Sequence, residues 1–217
     1  MEVTPCSCAC SRSVPVDHDH EHEHDHDHDH EGHEHDAAAA EAEAEALLRK
    51  RIALSQVRQY GDPVLRMRAG EVESFDDELA RLADRMIALM HDADGIGLAA
   101  TQVGVVRRLF VFSLDGVDHA LVNPVLTRVD GAREADDEGC LSLGTVRVPV
   151  ERQVEVTIEG KDVTGAPVEL ELEGMPARVV QHELDHLDGV LTIDRTDQAS
   201  RKEALSQLRP RLLINAR

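Results

Sequence analysis

The sequence predicts an α+β domain whose strands pair in antiparallel fashion. Val154–Ile158 and Val168–Leu172 each alternate apolar and polar residues, and Gly165 lies between them, as in an antiparallel hairpin with one solvent-facing side. Two segments predict helices: one follows Ser74, and the other begins near Met175, where a proline at the next position fits a first helical turn. Because helices and strands do not alternate as βαβ units, a parallel sheet is not expected.

Two different compositions are joined in this chain of 217 residues. Met1–Ala46 contains 14 acidic residues and one basic residue, which together account for −13 of the total net charge of −20. Leu47–Arg217 carries the other −7, an ordinary balance for the surface of a domain. We therefore expect an acidic tail over residues 1–46 and one folded domain over residues 47–217.

Charge and hydropathy exclude several classes of protein. A net charge of −20 is unsuited to neutralising phosphates, and four aromatic residues are too few for a base-stacking surface, so no nucleic-acid site is expected. No apolar run approaches the ~18 residues of a membrane span. Met1–Val16 lacks the basic start and the apolar stretch of a secretory signal. We expect no membrane association and a cytoplasmic location.

The tail is rich in metal-binding side chains. Between Asp17 and Asp36 acidic residues alternate with histidines, so there is nothing apolar to bury and disorder is expected. Imidazoles beside carboxylates bind zinc, nickel, copper and ferrous iron, and a Cys-x-Cys-x-Cys run begins at Cys6. The tail either binds additional metal ions, to buffer or deliver them, or is only a solvated charged segment. Ala37–Lys50 favours a helical linker.

The first helix of the domain is expected after a turn at Gly61-Asp62-Pro63 and an irregular stretch. Ser74 begins an S-x-x-D start signal, and a helix is expected from there to about Asp94-Gly95. Its apolar residues recur at spacings of three and four: Leu79, Leu82, Met86, Leu89 and Met90. This spacing predicts one buried face on an amphipathic helix of about four turns.

The remaining elements follow in order. Arg108–Leu114 predicts a buried strand, and His119–Asn123 predicts a short one closed by Pro124. The hairpin and the helix that runs through His186 come next. Gln198–Leu208 has a weaker helical pattern that Pro210 is expected to end or kink.

The second helix carries the sequence His182-Glu183-Leu184-Asp185-His186, an H-E-x-x-H motif. Residues four apart share one helical face, so the two imidazoles can bind one cation, although a purely structural His/Glu pair is the alternative. Glu183 lies about 100° around the helix from His182 and can reach a water on that cation. A zinc-like site also needs a third protein ligand.

Two residues are candidates for that third ligand. Cys140 is the one cysteine of residues 47–217, and its thiolate is a strong metal ligand, although a small buried apolar side chain is the simpler alternative. Glu203 lies downstream, where zincin metalloproteases take their third ligand, but its segment is only weakly helical. We therefore favour Cys140.

A loop of small residues, Gly95-Ile96-Gly97-Leu98-Ala99-Ala100-Thr101-Gln102, precedes these motifs. Its glycines would let a substrate backbone approach closely, and the Gln102 amide could polarise a carbonyl. Nucleotide binding is not expected, because the third glycine of the fingerprint and the βαβ context are both missing.

GIGLAATQ, EGCLS and QHELDH, in this order, resemble the motifs of the peptide deformylase family, and the resemblance covers about Val57–Asp194. It implies that Cys140, His182 and His186 bind one divalent metal ion, usually ferrous iron and replaceable by zinc, nickel or cobalt. The substrate would be an N-formylmethionyl nascent polypeptide, and the products would be formate and a free amino terminus.

The resemblance also implies roles for the neighbouring residues. Glu183 would take a proton from the attacking water and pass it to the leaving amine, while Gln102 and the backbone N–H of Leu141 would stabilise the developing oxyanion. The substrate-binding residues would be Gly95, Ile96, Gly97, Gly139 and Arg147. One departure is Gly144, where the family often has a proline that lines the substrate groove.

The complete prediction is an α+β domain whose antiparallel β-sheets pack around a central metal-binding H-E-x-x-H helix, with an additional N-terminal amphipathic helix and a disordered His/Asp/Glu-rich tail. Two other functions remain open, a zincin-type endopeptidase and a metal-storage protein whose working part is the tail. A ribosome contact is also left open.

Overall fold

The computed structural model describes residues 30–214 of the chain, and from Glu41 onward these residues form one α+β unit. The helices are α1 His30–Gln56, α2 Asp77–Asp92, α3 Met175–Leu187, α4 Thr192–Arg195 and α5 Gln198–Ile214. The strands are β1 Gly97–Ala99, β2 Leu109–Leu114, β3 Val117–Gly139, β4 Arg147–Lys161 and β5 Pro167–Glu173. Two short 3-10 helices span Pro63–Arg66 and Ala100–Val103. Within residues 30–214 no helix has both the length and the hydropathy that crossing a bilayer requires.

All five strands belong to one antiparallel sheet in which each strand pairs with its neighbour in sequence. This confirms the predicted α+β class with antiparallel pairing. The predicted hairpin is β4–β5, where Ile158 lies opposite Leu170 and Gly165 in the connection has a φ of 89°. β1 lies at the edge of the sheet, so one side of this strand is not paired within the sheet.

α2 has the predicted amphipathic character. Its apolar face is buried in a cluster with β1 and β2, and the buried residues are Leu79, Leu82, Ala83, Met86, Leu89 and Met90. The helix begins later than the start signal indicated, because the Asp76 carboxylate accepts hydrogen bonds from the N–H groups of Glu78 and Leu79. A cap of this kind stabilises a helix by about 1 kcal/mol.

α3 packs against the sheet through its apolar face. Ala177, Val179, Val180 and Leu187 share a buried cluster with Phe110 and other residues of the sheet. This packing fixes the helix that carries the H-E-x-x-H motif, and it directs the opposite face toward the end of β3.

β3 is much longer than predicted. Pro124 does not close the strand, because the pairing with β4 shifts register between Val122 and Val125 and so makes room for a residue without an N–H donor. Asn123 in this irregularity has a φ of 52°, and its amide bonds both backbone groups of Val72. Gly131, with a φ of 79°, lies in the third of three such irregularities, between Asp130 and Arg133.

Both ends of the described chain also differ from the prediction. α5 continues past Pro210. The proline lacks one backbone N–H donor, but the preceding turn of the helix is anchored by the buried side chains of Ala204 and Leu208. α1 begins at His30, so the end of the acid–histidine run is helical where disorder was expected. The alanine- and glutamate-rich linker that follows has a high helix propensity, which accounts for this. The rest of the acid–histidine run and the three tail cysteines lie outside the described residues.

Candidate metal and catalytic site

Three side chains from distant segments meet at one point. Cys140 Sγ lies 3.2 Å from Nε2 of His186, and this nitrogen lies 3.2 Å from Nε2 of His182. The three atoms lie within 4.8 Å of one another, which is close enough to hold a single cation. Among the described residues this is the one group of three potential metal ligands that the geometry assembles.

Local structure explains this convergence. The two histidines lie one helical turn apart on α3, with their rings at 67° and their centroids 4.9 Å apart. Cys140 follows β3 directly and starts a tight turn in which the Leu143 N–H bonds the Cys140 carbonyl at 2.9 Å. The sheet register of β3 therefore determines where the sulfur lies relative to α3.

The alternative third ligand is placed elsewhere. Glu203 lies on α5, is exposed, and accepts a hydrogen bond from Nε2 of Gln207 at 3.2 Å. Its carboxylate is not part of the group formed by Cys140 and the two histidines.

Glu138, the residue before the Gly139-Cys140 pair, orients His182. Its Oε2 lies 3.0 Å from Nδ1 of His182, which leaves Nε2 directed at the sulfur. Arg152 binds both carboxylate oxygens of Glu138 at 2.9 and 3.0 Å, and Arg178 adds a further bond at 2.9 Å. Burial raises the pKa of Glu138, but the hydrogen bonds from His182 and Arg152 outweigh it and lower the pKa to about 2.

Arg152 also links this carboxylate to the helix. Its Nη1 donates to Asp185 at 2.6 Å, and Asp185 accepts a second bond from Nε of Arg195 at 3.0 Å. Arg152, Glu138 and Asp185 are all buried, so the ion pairs between them are shielded from water. The sequence analysis missed this network. Glu138 and Asp185, which lie beside the ligand residues in sequence, could have indicated such a network. Their arginine partners are distant in sequence, and no local pattern identified them.

The sulfur has the character of a thiolate. Burial raises the pKa of Cys140, but the imidazoles of His186 and His182 outweigh it and hold the pKa well below its ordinary value. An anionic sulfur beside two imidazoles is a typical donor set for a transition metal ion.

Glu183 lies beside the donor group and is 4% exposed. Burial is the main cause that raises its pKa, to about 7. Its Oε2 is buried and makes no hydrogen bond to the described residues. A carboxylate with this pKa can accept and release a proton near neutral pH.

Gln102 is held with its amide nitrogen toward the sulfur. Its Oε1 accepts the Ala99 N–H at 2.8 Å, and its Nε2 donates to Ser142 Oγ at 3.2 Å and lies 3.6 Å from Cys140 Sγ. The oxygen is thus fixed by the backbone, and the NH2 group is directed into the site. Such a fixed donor can stabilise a nearby oxyanion.

A cavity of about 720 Å³ opens onto these groups. It is lined by ten of the eleven residues predicted for the site, namely Gly95, Ile96, Gly97, Gln102, Gly139, Cys140, Leu141, Arg147, His182 and Glu183. The eleventh residue, His186, is fully buried and does not line the cavity. Gly95–Gly97 leads into the edge strand β1, so an extended peptide could add to the sheet there.

Two glycines shape the cavity wall. Gly97 lies against the Glu183 carboxylate, so that a Cβ at this position would lie 2.9 Å from Cδ of Glu183. Gly144 has a φ of 68°, which proline cannot adopt, so the turn after Ser142 has a backbone that glycine permits and that the proline expected from the resemblance would not.

Comparison with known proteins points to one family. A family model described as polypeptide deformylase matches residues 54–202. Peptide deformylase 1 of Corynebacterium efficiens is 46% identical over 162 residues, which are 73% of this chain and 96% of that protein. The peptide deformylase of Thermotoga maritima is 45% identical over 146 residues, covering 67% of this chain and 89% of that protein.

Solved structures agree with the sequence comparison. The crystal structure of a peptide deformylase from Synechococcus elongatus in complex with actinonin aligns with a TM-score of 0.67 and 43% identity, covering 70% of this chain and 84% of that one. A peptide deformylase from Legionella pneumophila aligns with a TM-score of 0.69 and 36% identity, covering 74% of this chain and 96% of that one.

Proposed function

Because the chain belongs to the polypeptide deformylase family, we propose that Cys140, His182 and His186 hold its catalytic metal ion and that Glu183 and Gln102 act on the formyl group. The protein is a peptide deformylase: it removes the formyl group from the N-terminal formylmethionine of polypeptides and releases formate. The assignment of individual residues to this reaction is our proposal.

The donor set suits one divalent metal ion. One thiolate and two imidazoles, all within 4.8 Å of one another, match the three protein ligands of a catalytic site that keeps a position open. When bound, the metal supplies Lewis acidity, which lowers the pKa of a water molecule and polarises the formyl carbonyl. We propose ferrous iron as the native ion, with zinc, nickel or cobalt able to replace it. In this proposal α3 is the metal-binding helix of the fold.

Glu183 is proposed to move the proton. Its carboxylate would take a proton from the attacking water and deliver it to the amine as the C–N bond breaks. A pKa of about 7 supports both halves of this role, because neither protonation state is strongly favoured near neutral pH.

Gln102 and the backbone N–H of Leu141 are proposed to stabilise the oxyanion. The Gln102 amide is fixed before substrate arrives, since Ala99 and Ser142 hold both of its ends. Leu141 follows Cys140 in the turn, and Gln59 anchors the Leu141 carbonyl at 3.2 Å. Donors held in place in this way need no reorganisation during the reaction.

The substrate peptide is proposed to bind along the cavity wall. Gly95, Ile96 and Gly97 would pair with its backbone at the free edge of β1, and Gly139 would contact it from the opposite wall. Arg147 lines the same cavity, where its Nη2 bonds the Asp137 carbonyl at 2.6 Å. Apolar parts of the wall would receive the methionine side chain.

The observation that carries these assignments is the group of Cys140, His182 and His186 beside the buried carboxylate of Glu183. The test is formate release from a formylmethionyl peptide by the metal-loaded protein and by Glu183→Gln. The variant should bind metal normally and lose turnover. Full turnover in this variant would refute the role of Glu183, and cleavage of internal peptide bonds would favour the endopeptidase alternative.

We further propose that residues 47–217 are the catalytic domain and that the tail over residues 1–46 binds additional metal ions. The family match over residues 54–202 supports the boundary, and the tail's nine histidines support the metal binding. Replacing these nine histidines and the three tail cysteines by serine in the full chain should lower the bound nickel to about one ion per chain, the number that one catalytic site holds. Unchanged stoichiometry would refute the proposal for the tail. A cytoplasmic location belongs to this proposal, because nascent polypeptides are the substrates.

A further inference from the structure

The catalytic cavity has a wall that no site motif predicted. Lys50 and Leu54, both on α1, line the same cavity as Cys140, His182 and Glu183. The two residues are four positions apart and therefore share one face of the helix. α1 thus contributes to the place where the substrate must bind.

This wall is held in place by packing and by an ion pair. Ala53 and Val57 are buried in a cluster with Met86 of α2, which anchors the C-terminal part of α1. Lys50 Nζ binds Oδ2 of Asp94 at 2.8 Å, and Asp94 directly precedes Gly95 of the proposed substrate-binding segment. The lysine is therefore fixed beside the start of that segment.

Lys50 lies just before the part of the chain that the family model matches. The family match covers residues 54–202, so most of α1 lies before it. The side chains of Lys50 and Asp94 are 41% and 71% exposed, whereas Glu183 is 4% exposed. The ion pair therefore lies at the rim of the cavity and the catalytic groups lie at its floor. A bound peptide whose formyl group lies at the floor of the cavity must therefore extend across the rim to reach solvent.

We propose that Lys50 and Leu54 bind the residues that follow methionine in the substrate and so make this enzyme select longer formyl peptides. An ammonium group has three donors, and Asp94 takes one of them, which leaves donors for a peptide carbonyl. Leu54 adds apolar contact, and Asp94 cancels the charge of Lys50, so the wall binds neutral peptide. This inference rests on the proposed binding of substrate along Gly95–Gly97.

The test compares a short and a long substrate in the metal-loaded full chain, formylmethionine amide and formyl-Met-Ala-Ser. Lys50→Ala should raise the KM of the tripeptide by about fivefold, with little change in kcat and with the KM of the amide unchanged, since only the longer substrate reaches the rim. Lys50→Arg should restore most of the tripeptide affinity. Arg51→Ala is the matched control, because it removes the same charge from the next, exposed position of α1 without touching the cavity.

The outcomes separate this inference from the proposed function. An unchanged tripeptide KM in Lys50→Ala would overturn the inference alone, and so would an equal rise for both substrates. A wild-type chain that releases formate from neither substrate would overturn the proposed function as well. Thermal unfolding of each variant checks the fold, and the loss of one exposed ion pair should leave the unfolding temperature nearly unchanged.

Discussion

Gly97 lies so close to Glu183 that no side chain fits between them. A Cβ at position 97 would lie 2.9 Å from Cδ of the carboxylate, and still closer to Oε1. The edge strand β1 thus comes closest to Glu183 of α3 at Gly97, a residue without a side chain. Glycine at position 97 leaves room for the Glu183 carboxylate as well as for the backbone of a bound substrate.

Gly97→Ala should therefore reduce turnover without removing the metal. The new methyl group would displace the Glu183 carboxylate, and a misplacement of about 1 Å can lower the rate roughly 100-fold. Formate release and metal content measured on the same sample test this prediction. Gly70→Ala is the control, since a Cβ there would meet nothing closer than 3.8 Å. Equal activity of both variants would contradict the proposed placement of Glu183.

Glu138→Gln should weaken metal binding. The amide has nearly the shape of the carboxylate, but it lacks the charge that orients His182 and pairs with Arg152 and Arg178. Losing such a partner of a metal ligand typically lowers metal affinity about 10- to 100-fold. Competition with a chelator measures this change. Glu134→Gln, on the same strand and with an exposed side chain, should bind metal like the wild type.

Arg152→Met should destabilise the fold more than any loss of a surface ion pair. It removes the partner that Glu138 and Asp185 share and leaves them with Arg178 and Arg195, so we expect a loss of about 1.5–3 kcal/mol, the usual contribution of hydrogen bonds to charged groups. The free energy of unfolding in urea is the measurement. Arg133→Met is the control, because Arg133 pairs with Glu151 at 3.7 Å on an exposed surface and should contribute less than about 1 kcal/mol. An equal loss of unfolding free energy in both variants would show that the buried ion pairs stabilise the fold no more than an exposed pair does.

Gln102→Ala should lower kcat by about 10²- to 10³-fold, the usual effect of removing one oxyanion donor. Metal content should stay the same, because the amide lies beside the sulfur but is not one of the three ligand candidates. Steady-state kinetics with a formylmethionyl peptide test this. A rise in KM alone, with kcat preserved, would show that Gln102 only binds substrate.

Periodicity and local motifs predicted the elements that carry the site. The apolar spacing of α2, the alternation in β4–β5 and the helix through His186 are all local patterns, and the structure has each of them. Cys140, His182 and His186 could be proposed as metal ligands for the same reason, since the order and spacing of motifs can be read directly from the sequence. The structure brings their donor atoms together.

What the sequence did not predict depends on pairing between distant segments. Pro124 suggested the end of a strand, yet β3 continues because a shift in its pairing with β4 absorbs the proline. Arg152 appeared as one more charged residue of an alternating strand, and its role depends on the sheet register that places it between Glu138 and Asp185. The wall formed by Lys50 depends in the same way on how α1 packs.

The central claim is that one sulfur and two imidazole nitrogens hold a single metal ion. A crystal structure of the cobalt-loaded protein, with an anomalous difference map, tests it most directly. We predict one strong peak within about 2.5 Å of Cys140 Sγ and of the Nε2 atoms of both His182 and His186. A peak that leaves out Cys140, or no peak between these three residues, would contradict the account.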